Sequence, residues 1–129
     1  MNNIKEFFKD LCKNQNEIVD NYTSFQKAKI SEGRQINIDQ RRKIDKANQT
    51  LKYYQRLLEI DKTPFFTSAL DVMLDDLQKE LLEKKDLLDF YSVEQKVLVP
   101  SVSKSINKIE ESIEKINDLL NEIQLDKQN

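Results

Sequence analysis

Histidine and tryptophan are absent from this 129-residue chain, which carries one cysteine (Cys12), one glycine (Gly33) and two prolines (Pro64 and Pro100). Each shortage removes a class of chemistry. Without histidine, neither a serine–histidine–aspartate triad nor an imidazole metal centre can be built from one chain. A lone cysteine excludes an internal disulfide and any two-cysteine site. One glycine excludes the glycine-rich loops that cradle phosphates. No window approaches the ~20 apolar residues that a membrane-crossing helix requires. The opening stretch has Ile4, Phe7, Phe8 and Leu11 broken by Lys5, Glu6, Lys9 and Asp10, so it lacks the continuous apolar run of a signal peptide. These features predict a cytoplasmic protein that needs no cofactor.

What is present is helical patterning. Apolar residues make up 38% of the chain and charged residues 34%, a low apolar share that is nevertheless regularly spaced. In the first segment Ile4, Phe8, Leu11, Ile18, Tyr22 and Phe25 follow steps of three and four, with Gln15 filling one slot. In the second, Ile44, Ala47, Leu51, Tyr54 and Leu58 do the same. Between them Gly33 either stops the first helix or weakens one long rod. Ile36 and Ile38 alternate with Asn37, too short a pattern for a strand, and Asp39 is the expected N-cap of a late-starting helix.

Asp61-Lys62-Thr63-Pro64 is the firmest boundary, because threonine caps and proline suits the first helical turn. The third segment carries Leu70, Leu74, Leu77, Leu81, Leu88 and Tyr91, broadened by Met73, Leu82, Leu87 and Phe90, with Lys84 in one slot. Pro100 opens the fourth. There Val102, Ile106, Ile109, Ile113, Ile116, Leu120 and Ile123 keep a 4-3-4-3-4-3 rhythm, the signature of a coiled-coil-like packing seam. The expected fold is a single all-α domain over 1–129, an antiparallel helical bundle with helices near 3–31, 36–61, 64–97 and 100–125. An elongated three-helix arrangement, with the first two segments fused, is the alternative.

Charge divides along the chain. Lys and Arg number 21 and Asp and Glu 23, for a net −2, but residues 1–62 are net basic and residues 63–129 net acidic. The two halves therefore attract, within one chain or between two copies in a homodimer.

Candidate chemistry is sparse. The carboxylate pairs Asp71/Asp75, Glu80/Glu83 and Glu110/Glu114 lie on polar helix faces beside lysines, the pattern of a solvated surface. Cys12 has Lys9 and Lys13 nearby, which lower a thiol pKa slightly, but no base or second thiol accompanies it. Catalytic, cofactor-binding and metal-ligating residues are therefore expected to be none, and the chain is expected not to be an enzyme. The function expected is a helical protein–protein interaction module, such as an adaptor, inhibitor, immunity-type or chaperone-like partner. Its weak candidate contacts are Tyr53, Arg42, Lys46 and Arg56 on the second segment. Two alternatives are a small regulatory nucleic-acid-binding protein using the basic face of 34–56, and a coiled-coil structural or assembly subunit. The partner expected is another protein or a second copy, with nucleic acid the lesser choice.

Overall fold

The computed structural model describes residues 2–128, and the side chains of residues 3–126. Its elements are α1 (Asn2–Ser31), α2 (Ile38–Ile60), α3 (Thr63–Glu94), a 3-10 turn (Lys96–Leu98) and α4 (Val99–Gln128). No strand occurs among the described residues, so the fold is all-α. The chain divides into two compact units, Met1–Lys62 and Thr63–Asn129, each built on one antiparallel helical hairpin. α1 packs on α2 in the first and α3 on α4 in the second.

Gly33 decides that the first two segments are separate helices. Its φ of 75° lies in the left-handed region, where a side chain is strained. The Arg34 N–H bonds the Lys29 carbonyl (2.9 Å) and the Gly33 N–H bonds the Ile30 carbonyl (3.0 Å). That crossed pair is a Schellman stop, which satisfies carbonyls the helix end would otherwise leave unpaired. A fused rod is therefore not formed.

The second helix starts at Ile38 rather than 36, and its cap is Asn37 rather than Asp39. Asn37 Oδ1 accepts the Gln40 N–H at 2.8 Å, while Gln40 Oε1 accepts the Asn37 N–H at 3.3 Å. This reciprocal box satisfies two free amides at once. Asp39 sits in the first turn, where its charge favours the helix dipole instead. Asn37→Ala is expected to lower stability by about 1 kcal/mol in a urea titration, against a few tenths for Asp39→Asn.

Within the first unit Ile4, Phe8, Ile44, Ala47 and Leu57 are buried. Gln15, the polar residue in the apolar stripe, donates from Nε2 to the Ala47 carbonyl at 2.9 Å. The small alanine admits that approach, and the bond fixes the register of α1 on α2. Asp61 ends α2 in the left-handed region (φ 52°) with its N–H on the Leu57 carbonyl, and its carboxylate meets Lys5 Nζ at 2.9 Å. Both side chains of that ion pair are more than a third accessible to water, so it adds little stability.

In the second unit α3 begins at Thr63 with Pro64 in its first turn and buries Phe66, Ala69 and Leu70. It stops at Glu94, three residues before the expected end, because Gln95 leaves helical angles (φ −145°, ψ 74°). The 3-10 turn then leads into α4, which starts at Val99. Pro100 falls in its first turn, where a missing N–H leaves no bond unmade.

On α4 one row of the heptad, Val102, Ile109, Ile116 and Ile123, stays buried at seven-residue steps. The other row, Ile106, Ile113 and Leu120, passes from buried to half-buried, and Leu119 takes the buried place near the C-terminal end. The buried face of α4 therefore turns toward Leu119 in its last turns and leaves the strict heptad.

Candidate functional site

The α1–α2 hairpin is capped by its Schellman stop and capping box, and between them residues 32–37 form an ordered connection. This connection carries Ile36 and leads into Ile38. Ile30 and Ile38 are 62% and 69% exposed, which is unusual for isoleucine at two neighbouring places in one unit. With Gly33, Arg34, Ile36 and Arg41 they line an open hollow of ≈ 610 Å³.

A separate groove runs along the hairpin and shares no lining residue with that hollow. Ile18 and Tyr22 of α1 meet Lys43, Lys46, Ala47 and Thr50 of α2. One turn further, Tyr22 and Phe25 meet Gln40, Lys43 and Ile44 around a space of ≈ 380 Å³. Tyr22 and Lys43 belong to both stretches, so the groove is continuous. Lys29 closes its end, standing 4.9 Å from the Phe25 ring centre and donating to Gln40 Oε1 at 3.3 Å. The same Gln40 oxygen that completes the helix cap thus holds a cation over an aromatic ring.

The electrostatics of this end are one-sided. Residues 26–46 carry seven basic and three acidic side chains. An apolar floor rimmed by cations suits an apolar surface rimmed by anions.

Of the residues singled out from sequence, Lys46 is exposed and lines the groove. Arg42 is exposed on α2. Tyr53 is 48% exposed, whereas its neighbour Tyr54 is half-buried, their rings 5.9 Å apart. Arg56 is exposed and pairs with Glu59 at 3.3 Å. Helical spacing gathers Arg42, Lys46, Tyr53 and Arg56 on one face of α2, but only Lys46 reaches the groove. Of the groove's other residues, Lys43 belongs to the basic face of 34–56, whereas spacing alone assigns Ile18 and Phe25 to the packing stripe of α1. The available signal was Ile36 and Ile38 flanking a turn beside arginines.

The groups considered for catalysis are dispersed. All six paired carboxylates are exposed, and Asp75 is engaged by Lys79 at 3.0 Å. That contact raises the Lys79 pKa, chiefly through its hydrogen bond to Asp75. No group of three or more Cys, Asp or Glu side chains is placed to hold a metal among the described residues. Nor, among them, is any helix long and apolar enough to cross a membrane. Cys12 is half-buried, and desolvation raises its pKa, the reverse of the lowering expected from Lys9 and Lys13. Lys9 instead leans toward Glu6 at 3.5 Å.

Tyr54 behaves likewise. Burial first, then the neighbouring Tyr53 and Cys12, push its pKa above the ordinary tyrosine value. The unfolded chain therefore loses this proton first. Stability tied to Tyr54 is fully present below about pH 10 and is lost as pH rises through the folded value. Ultraviolet titration is expected to show one late tyrosinate that disappears in Tyr54→Phe; a titration unchanged by that substitution would contradict it.

No known protein family, curated protein or solved structure matches the chain. The fold class and the geometry of the hairpin end are therefore the ground on which its function is read.

Proposed function

We propose that this protein is a non-enzymatic helical interaction module whose partner is another protein, bound at the free end of the α1–α2 hairpin. The observation that carries this reading is that Phe25 lies exposed in a groove lined by Lys43 and Lys46, while Ile30 and Ile38 lie exposed in the hollow with Arg41. Such residues are poorly hydrated when left open, and their burial by a partner is worth roughly 25 cal/mol per Å2 of apolar area before association costs. The cations then select a partner with acidic flanks and fix its register. Arg42 and Tyr53 extend the same surface along α2.

A second reading is favoured by one observation. Arg41, Arg42, Lys43 and Lys46 are all exposed within two turns of one helix, where cations could meet phosphates. Asp39 and Asp45 interrupt that array, and the isoleucines beside it offer nothing to a phosphate backbone.

Photo-cross-linking separates the two. With a benzophenone side chain at position 25 in cells of the native source, the expected product is a discrete protein adduct that Lys43→Glu with Lys46→Glu abolishes. Adducts to nucleic acid alone, or none, would overturn the protein-binding reading.

A further inference from the structure

α3 carries two apolar stripes, and only one is used within its own unit. At 100° per residue, Leu77, Leu81 and Leu88 lie together and are half-buried. Leu82, Phe90 and Val93 fall within an arc of about 80° on the opposite side. Leu82 is 65% exposed, Phe90 57% and Val93 77%. α3 therefore presents apolar side chains on two sides, one half-buried and one open.

Asp86 lies within the stripe, Asp89 and Glu83 flank it, and all three are exposed. Residues 75–94 hold seven acidic and three basic side chains, a net −4, the mirror of the net +4 over residues 26–46. The dimensions also agree. Leu82 to Val93 spans about 17 Å of helix, and the groove edge from Ile18 to Lys29 spans about 17 Å as well. Acidic surroundings disfavour the anionic surface of a lipid bilayer as the cover for this stripe.

We propose that two copies of this chain pair reciprocally, the acidic apolar stripe of α3 in one copy lying in the basic α1–α2 groove of the other. The pairing rests on the reading of that groove as a protein-binding surface and names its occupant. Each copy offers one face of each kind, so a two-fold pair satisfies all four and leaves none to propagate a fibre.

Sedimentation equilibrium of the full chain, from low to high micromolar at low and at high salt, tests this. The expected result is a monomer–dimer equilibrium that high salt weakens. Lys43→Glu with Lys46→Glu weakens it at least tenfold, as does Asp86→Lys with Asp89→Lys. All four positions are exposed, and circular dichroism checks that the helices persist. Mixing the two variants in equal amounts restores a dimer, because each then presents to the other the opposite charge at both contacts.

A monomer throughout overturns the pairing, and so does a dimer indifferent to both variants or a mixture that stays monomeric. A charge variant that changes the sedimentation coefficient in a companion velocity run without changing mass also overturns it, since the faces then meet within one chain. If the purified chain is monomeric but position 25 still cross-links to a protein in cells, the pairing fails and the protein-binding reading stands. If position 25 yields no protein adduct either, both fail.

Discussion

Phe8→Ala is expected to destabilise the protein by about 3–5 kcal/mol, the largest effect of any single substitution considered. Phe8 is 0% exposed, and its ring meets Phe7 edge-to-face with centroids 5.4 Å apart. Truncation removes its burial energy and leaves a cavity that the surrounding helices close only in part. Phe25 provides the control, because the same residue type on the same helix is 43% exposed. Phe25→Ala is expected to change stability by less than about 1 kcal/mol. Chemical denaturation of both variants makes the comparison. Equal losses would show that Phe8 is not held in a packed interior.

Leu119→Ala is expected to cost about 2–5 kcal/mol, and Leu120→Ala distinctly less. Both are leucines in adjacent positions, so composition and helix propensity cancel between them. What differs is burial: Leu119 is 1% exposed, while Leu120 is half-buried. A strict seven-residue supercoil predicts the opposite ranking, since Leu120 continues its rhythm. The order of the two values therefore reports how α4 winds in solution. A larger loss at Leu120 would mean that the helix follows the heptad to its end.

Helix content was legible because its signals are local. Steps of three and four place Ile4 and Phe8, or Ile109 and Ile116, on one face whatever packs there. The stop at Gly33 was legible as one of two choices, and the positive φ resolves it, since only a loop needs that conformation. The N-cap was misplaced for a related reason. Asp39 and Asn37 both have capping side chains, and the decision lay with Gln40, whose return bond to the Asn37 N–H exists only when the helix starts at Ile38.

The candidate site was harder to read. Charge alone marked Arg42, Lys46 and Arg56, but a groove is a relation between two helices. Ile18 and Phe25 look like ordinary members of the α1 stripe until α2 is set against them at the register that the Gln15–Ala47 bond fixes. Spacing alone has Leu82 and Phe90 broaden one face of α3; both are exposed, on the side away from the half-buried Leu77, Leu81 and Leu88.

Hydroxyl-radical footprinting of the full chain, inside cells of its native source and again as dilute purified protein, addresses the central claim most directly. Phe25 and Ile30 are expected to oxidise readily in dilute solution and to be protected several-fold in the cell. Phe65, 48% exposed and outside the surface assigned to the partner, is expected to react alike in both settings. Equal oxidation of Phe25 and Ile30 in the cell and in dilute solution would contradict the assignment of the hairpin end as the surface through which this protein works.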